Sequence, residues 1–330
     1  MGNNTMPKCA CRMCNQLGVN KFPVRRRGGN NGYLCEWHTY HMDGYTAENP
    51  VLIGPVKAHG ETFSYELETM RPSLTARIEL CIEGFRPTSD CTVDVEFKSP
   101  IYNGFNGVSA YFPSIQDLLQ SGDMRIDSNC GTHFHCGQKR YITPVYMAYI
   151  RRFYHSLFLP LFEEIARDPE KVERIFGRTV SGWAGLASQN TSAVQHELFI
   201  NTQHEWTLEF RNAKFVTAEQ YLACAKLCRE WMRKIVASFC PVVETLGLAA
   251  RPFDEKRECG YNFGVRTLTG EERTALKKAA DKTAAQLVKV WRKAWHFQKI
   301  TGKKFPVIFW KPIVKNFTIL IFKNEENLTI

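Results

Sequence analysis

The stretch TFSYELE, residues 62–68, alternates apolar and polar side chains with a period of two. Successive side chains of a β-strand point to opposite faces, so the aromatic and aliphatic residues would share one face, and Glu66 and Glu68 the other. Adjacent carboxylates repel each other unless a cation lies between them, which favours a cation site. Plain exposure of the pair to water on a one-sided sheet is the alternative.

Three further stretches alternate in the same way and are predicted to be strands: ARIELCIEGF (76–85), CTVDVEFKS (91–99) and WTLEFRNAKF (206–215). In the last of these, Trp206, Leu208 and Phe210 would be buried. Glu209 and Arg211 would then lie together on the opposite face.

The stretch CGTHFHCG, residues 130–137, places two imidazoles on one side of a further extended segment. His133 and His135 would share a face, with Phe134 on the other. If these strands are neighbours in one sheet, its polar face gathers carboxylates, imidazoles and a guanidinium. Such a face is typical of a site for metal ions and phosphate. The other histidines, including His204, fall in no recognisable companion motif.

Helix starts are predicted at three capping patterns: Thr143-Pro144, Thr217-x-x-Gln220 and Thr269-x-x-Glu272. The first helix would continue until Pro160 bends or ends it, and the second would end near Phe239. The strands are mostly joined without regular βαβ alternation. This pattern predicts an α+β fold with an antiparallel sheet.

The first fifty residues are rich in cysteine and poor in apolar periodicity, so they are predicted to form a small appended module. Cys11 and Cys14 precede a twenty-residue spacer, and Cys35 and His38 follow it. Two ligands from each of two short loops suit tetrahedral zinc, here as a structural ion. Coincidental free cysteines are the alternative.

The whole chain has 330 residues, 44% of them apolar, and a net charge of +10. The positive charge favours polyanionic partners such as nucleotides or nucleic acid. No apolar run is long enough to span a bilayer and no secretory signal is evident, so we expect an intracellular protein without structural disulfides. The predicted domains are residues 1–50, 51–267 and 268–330, the last a basic helix and a β-rich tail.

Three of these motifs, in this order, resemble the carboxylate-amine ligases of the glutamine synthetase fold, in particular the amidoligases of phages, bacteria and some fungi. The motifs are ELET (66–69), CGTHFH (130–135) and TLEFR (207–211). VEFKSPIYNG (95–104) is similar to the family's Glu-x-x-Ser-Pro segment, and Asn201 precedes the Glu-x-Arg strand as an asparagine usually does there. The resemblance covers about residues 56–250 and implies a curved antiparallel sheet with packed helices.

The resemblance also implies ATP and Mg²⁺ or Mn²⁺ as cofactors. Glu66 and Glu68 would bind two divalent cations, and Glu96 would be a further metal or substrate carboxylate. Lys98 stands where such proteins often have an apolar or uncharged residue, which leaves the role of Glu96 open.

On the neighbouring strands, the resemblance makes His133 a metal ligand and places His135 nearer the nucleotide. Glu209 would complete a metal site, and Arg211 would reach the transferred phosphate. Arg178, in FGRTVSGWAG, would be a further contact to substrate or phosphate.

The implied reaction activates a carboxylate as an acyl phosphate, which an amine then attacks to form an amide. The acid and the amine, which include peptide or protein side chains, are not identified by the sequence. The alternative is a zinc-containing nucleic-acid-binding protein without catalysis, for which the net charge speaks. A metal-dependent hydrolase that uses the His-x-His pair is a third hypothesis.

Overall fold

The computed structural model of the protein describes residues 20–22, 32–34, 52–53, 60–88, 92–180, 185–188, 197–249 and 267–301. The main sheet and the contacts of its side chains belong to one compact unit of the chain, Met1–Val290. The described strands are β1 (Asn20–Phe22), β2 (Gly32–Leu34), β3 (Leu52–Ile53), β4 (Glu61–Thr69), β5 (Arg86–Thr88), β6 (Val95–Lys98), β7 (Ile101–Asn103), β8 (Thr132–Gln138), β9 (Ile200–Asn201) and β10 (Leu208–Ala213).

The described helices are α1 (Leu74–Ile82), α2 (Phe112–Gln120), α3 (Pro144–Arg152), α4 (Tyr154–Ala166), α5 (Pro169–Phe176), α6 (Ala218–Ser238), α7 (Cys240–Thr245) and α8 (Gly270–Thr301). A 3₁₀ turn at Phe105–Gly107 connects β7 to the segment before α2.

Strand β4 lies at the centre of the main sheet, whose order is β3-β7-β4-β8-β10-β9. It pairs antiparallel with β8 from Glu61 opposite Gln138 to Leu67 opposite Thr132. Its other edge pairs antiparallel with β7 near its start and with β6 near its end. Strands β8, β10 and β9 continue the antiparallel pairing, and only β3 pairs parallel, with β7. The α+β prediction with an antiparallel sheet is confirmed at this level.

Helix α6 packs on the apolar face of the central strands through aromatic side chains. The Tyr221 ring centroid lies 4.4 Å from that of Phe134 and 5.8 Å from that of Tyr65. About three turns further along α6, Trp231 stacks on Phe210 of β10 with centroids 6.0 Å apart. Each such pair contributes about 0.5–1.5 kcal/mol beyond the buried area. Because side chains alternate along a strand, this packing leaves the charged residues on the opposite face.

The strand predicted at 76–85 is wrong, because most of it forms helix α1. The side chain of Ser73 accepts a hydrogen bond from the backbone N–H of Ala76 and so caps the helix. Ala76, Ile78 and Leu80 are all buried, which explains the period-two pattern. A short helix that is covered on more than one side can show the same alternation as a strand. Here the Ser73 cap is the feature that distinguishes the helix from a strand.

The three predicted helix starts are confirmed, with Thr143, Thr217 and Thr269 at the N-caps or first bonded positions of α3, α6 and α8. The first helix does not continue to Pro160, because α3 ends at Arg152 and α4 begins at Tyr154. Pro160 lies inside α4 on its exposed side.

The prediction that Trp206 is buried is wrong, because 60% of its surface is exposed. It precedes the first residue of β10, so it lies in the turn from β9 and not on the strand face. Leu208 and Phe210 are buried as predicted.

The four predicted zinc ligands and the predicted β-rich tail lie outside the described residues. Strands β1 and β2, which pair antiparallel with Asn20 opposite Leu34, fall between the two predicted zinc loops. The described cysteines are free thiols. No described helix is both long and apolar enough to cross a membrane.

Candidate metal centre

The charged face of three adjacent strands, β4, β8 and β10, forms a buried cluster of carboxylates and imidazoles. The sheet register creates it, since Glu66 lies opposite His133 and His135 lies opposite Glu209. Directly opposed residues of antiparallel strands have their side chains on the same face. Glu209 is 1% exposed and His133 is 4% exposed, so the charges interact with little screening by water.

His133 contacts carboxylates from both neighbouring strands. Its Nδ1 lies 3.2 Å from Glu66 Oε2 and 3.2 Å from Glu209 Oε1, and its Nε2 lies 3.4 Å from Glu68 Oε1. Burial alone would lower the pKa of His133, but the hydrogen bonds to Glu209 and Glu66 raise this pKa to about 9. The ring is therefore held as a cation that the carboxylates surround.

Glu66 lies between the imidazoles and a lysine. Its Oε1 lies 3.4 Å from His135 Nε2 and 3.0 Å from Lys98 Nζ. Burial favours the neutral acid, but His135 and His133 together outweigh it and hold the pKa of Glu66 well below 4.5. Glu66 is thus an anion at neutral pH.

Lys98 joins two carboxylates on neighbouring strands. Its Nζ lies 3.0 Å from Glu66 Oε1 and 3.1 Å from Glu96 Oε1, and Thr88 also donates to Glu96 Oε1 at 2.9 Å. Burial and the charge of Glu66 raise the pKa of Glu96 despite Lys98. The lysine that departs from the resembled family pattern therefore places an ammonium group where a cation would bind.

Glu68 is held by the loop that precedes β8, where Gly131 donates its backbone N–H to Glu68 Oε2. A Cβ on Gly131 would lie 3.1 Å from His133 Nε2 and 3.1 Å from an Nη of Arg178, so a larger residue would require these side chains to shift by a few tenths of an ångström. Arg178 thus lies beside the cluster. Its burial lowers its pKa, which the charge of Glu68 partly offsets.

Glu209 is the most fully hydrogen-bonded carboxylate of the cluster. Its Oε2 accepts from Asn201 Nδ2 at 2.6 Å and lies 3.0 Å from His204 Nε2, and its Oε1 accepts from Arg211 at 2.7 Å. Burial raises the pKa of Glu209, but His133 and His204 overcome this and hold the pKa well below 4.5. Arg211 is oriented by this bond on the same buried face.

His204 belongs to the cluster, although the sequence assigned it to no motif. The β9–β10 hairpin brings it there, because Asn201 pairs with Glu209 and the turn between them carries His204 back over the carboxylate. Its ring lies edge-on to His135 with centroids 5.0 Å apart. An Asn and a Glu eight residues apart on either side of a short turn were the signal that could have identified it.

Two sets of side chains in the cluster could each hold a metal ion: Glu66, Glu96 and His133, and separately His135, His204 and Glu209. In each set the donor atoms lie within 4.8 Å of one another. Carboxylate oxygens suit Mg²⁺ and Mn²⁺, and imidazole nitrogens suit Mn²⁺ and later transition metals. The donor chemistry therefore fits divalent cations.

The structure brings together every site residue predicted from the strand motifs: Glu66, Glu68, Glu96, His133, His135, Arg178, Glu209 and Arg211. Their chemical roles stay predictions.

The fold and the cluster together define an α+β protein with a buried carboxylate and imidazole centre on an antiparallel sheet. No protein-family model matches the chain, and no curated protein matches it in sequence.

Proposed function

We propose that the protein is an ATP-dependent carboxylate-amine ligase of the glutamine synthetase fold, which forms an amide through an acyl phosphate. The observation that carries the proposal is the convergence of Glu66, His133 and Glu209 from three adjacent strands, with Arg211 bound to Glu209 at 2.7 Å. An arginine beside metal ligands suits phosphoryl transfer, because charge spreads over the phosphate oxygens in the transition state.

Glu66, Glu68, His133 and Glu209 would hold Mg²⁺ or Mn²⁺. Glu96, the further donor predicted from the sequence, pairs with Lys98 and would be left for the amine. When bound, the cations would neutralise and align the phosphate groups of ATP. Glu66 and Glu209 are already anionic at neutral pH, because their pKa values are lowered, so no proton has to leave them. His133, whose pKa is raised to about 9, would have to lose its proton before a nitrogen could bind the ion.

Arg211 and Arg178 would supply positive charge from the protein itself. Glu209 fixes the direction of Arg211 through a hydrogen bond, so the guanidinium loses little freedom when it binds a phosphoryl group. Arg178 lies next to Gly131 and would contact the substrate carboxylate or the phosphate.

We assign to Glu96 the role of accepting the proton of the attacking amine. Burial and the charge of Glu66 raise its pKa, which makes it a better proton acceptor than an exposed carboxylate. It would take the proton that the attacking amine loses as the acyl phosphate releases phosphate. Water has to be excluded at this stage, and the burial of the cluster suits that requirement.

The remaining parts of the proposal concern residues outside the cluster. Residues 1–50 would form a zinc module with Zn²⁺ bound by Cys11, Cys14, Cys35 and His38. Residues 51–267 would form the ligase domain, and residues 268–330 a basic helix and tail. We place the protein inside the cell, where ATP is available.

The test is ATP turnover with Mg²⁺ or Mn²⁺ against pools of carboxylates and amines, for the wild type, Glu209→Gln and Glu209→Ala. We expect metal-dependent turnover that falls by on the order of a hundredfold or more in both variants. Glu244→Gln removes a surface carboxylate that pairs with Arg140 and serves as the control, with turnover unchanged.

Turnover that survives the loss of Glu209 would contradict the site assignment. If the wild type neither binds nor uses ATP but binds DNA or RNA with a steep salt dependence, the nucleic-acid-binding hypothesis replaces the ligase. Circular dichroism and melting of each variant distinguish lost chemistry from lost folding.

A further inference from the structure

We infer that His135, His204 and Glu209 form a second divalent-cation site, which shares Glu209 with the proposed ligase site and prefers a transition metal such as Zn²⁺ or Co²⁺ to Mg²⁺. The site is defined by one nitrogen from each imidazole and one carboxylate oxygen, all within 4.8 Å of one another. The inference concerns metal binding alone and holds whether or not the protein uses ATP.

One pair of donor atoms is already spaced as around a bound ion. Two adjacent ligands that each lie about 2.1 Å from one metal are separated by about 3.0 Å in octahedral geometry and about 3.4 Å in tetrahedral geometry. His204 Nε2 and Glu209 Oε2 lie 3.0 Å apart. A cation would replace the proton between them with only a small movement of either side chain.

His135 supplies an independent observation that points to a ligand. The residue is 8% exposed, and its Nε2 makes no hydrogen bond to any described residue. Its contact with Glu66 Oε1 at 3.4 Å is an ion pair without hydrogen-bond geometry. A buried ring nitrogen without a hydrogen bond is costly, and a metal ion is a partner that satisfies it.

The surrounding hydrogen bonds orient the three donors as outer-shell groups do in metal sites. His135 Nδ1 lies 3.2 Å from Thr207 Oγ1, and in the neutral ring that a metal would require, donation to that oxygen leaves the lone pair on Nε2. Asn201 and Arg211 hold the two oxygens of Glu209. The donors are therefore positioned before any ion arrives.

Access and competition also favour this set over the carboxylate-rich one. The side chain of His204 is 46% exposed, which gives an ion a route from solvent. At the set of Glu66, Glu96 and His133, an incoming cation has to displace the ammonium of Lys98. No lysine or arginine is recorded against His135 or His204 among the described contacts, and Arg211 binds Glu209 through Oε1, not through the Oε2 that faces His204.

The ligand types set the metal preference. Two imidazoles and one carboxylate suit Mn²⁺, Fe²⁺, Co²⁺ and Zn²⁺, with affinity that rises along this series, whereas Mg²⁺ prefers oxygen ligands and retains its waters. Millimolar Mg²⁺ should consequently leave the ion in place.

The experiment is equilibrium dialysis of the stripped full chain against Zn²⁺ or Co²⁺ in millimolar Mg²⁺, with bound metal measured by atomic absorption and the Co²⁺ spectrum recorded. We compare the wild type with His204→Ala, His204→Gln and His135→Gln. The cysteines of residues 1–50 are the same in all variants, so their bound metal cancels in the difference.

We expect each variant to bind one ion fewer per chain, or to bind it at least tenfold more weakly, with loss of cobalt absorption that does not come from thiolate. His155→Gln, a histidine on α4 outside the cluster, should bind like the wild type. Equal metal content in the wild type and the His204 variants, or displacement by Mg²⁺, would overturn the inference. Because the readout is bound metal, failure of the ligase proposal would not affect it.

Discussion

Replacing Lys98 with methionine should strengthen divalent-cation binding at the set of Glu66, Glu96 and His133. The ammonium lies 3.0 Å from Glu66 Oε1 and 3.1 Å from Glu96 Oε1, so it uses the same oxygens that a metal ion would use. The lysine side chain is 42% exposed, and its interactions are therefore screened by water. For a divalent ion about 4 Å from the ammonium in a dielectric of about 80, the repulsion is about 2 kcal/mol, or about thirtyfold in affinity.

The assay is a titration of the metal-free protein with Mn²⁺. Binding is monitored by calorimetry and by the decrease in the electron paramagnetic resonance signal of free Mn²⁺. Lys98→Met should bind Mn²⁺ about thirtyfold more tightly than the wild type, by the repulsion just derived. Without metal the variant should melt at a lower temperature, since Glu66 and Glu96 then lose their shared counter-charge. Lys98→Arg retains the charge, and Lys139→Met removes an exposed one, so both should bind Mn²⁺ like the wild type. Equal Mn²⁺ affinity in Lys98→Met and the wild type would refute the argument that the ammonium occupies a cation site.

Three further outcomes follow from contacts elsewhere in the fold. Burial raises the pKa of Glu61, but its two arginine partners on α6 lower this pKa overall, below 4.5. The charged carboxylate therefore stabilises the fold above pH 4.5, and this stabilisation is lost as the pH falls through the lowered pKa. Glu61→Gln should cost about 1–2 kcal/mol at pH 7 in urea unfolding and progressively less below pH 4, and a difference independent of pH would contradict this. Gly137→Ala should destabilise by about 1–3 kcal/mol, because the new Cβ would lie 2.5 Å from a threonine hydroxyl of β4, whereas Gly270→Ala has nothing within 4 Å and should be neutral or slightly stabilising. Tyr154→Phe removes a buried hydrogen bond of 2.7 Å to the carbonyl of Ile200 and should lower the melting temperature by an amount equivalent to about 1–3 kcal/mol, which thermal unfolding would measure.

Strand pairing was predictable where a long period-two pattern carried charged residues on one side. The stretches that became β4, β8 and β10 each place apolar side chains towards α6 and charged ones away from it. Helix starts were predictable for a different reason. A threonine whose hydroxyl accepts a backbone N–H three residues later is a local feature, and at Thr217 and Thr269 this bond is present.

The errors arose where distant contacts decide the outcome. The segment that forms α1 alternates like a strand because it is buried on more than one side. The sequence pattern alone does not show how many sides of a segment are covered. His204 was not assigned because it lies in a turn, where no periodicity exists, and only the β9–β10 pairing brings it to Glu209. The position of Lys98 was recognised as unusual, but its contact with two carboxylates depends on the register of β6 against β4.

The pairing of β4 with β8 has a consequence for how errors in folding would appear. Phe134 lies between His133 and His135 in the chain, and it faces the aromatic layer while both imidazoles face the carboxylates. A shift of one residue in the register of β8 would exchange the two faces of the strand. The imidazoles would then enter the aromatic layer, and the phenyl ring of Phe134 would face the carboxylates. The same register therefore buries the aromatic face and assembles the cluster of carboxylates and imidazoles, so a misaligned molecule would lose both.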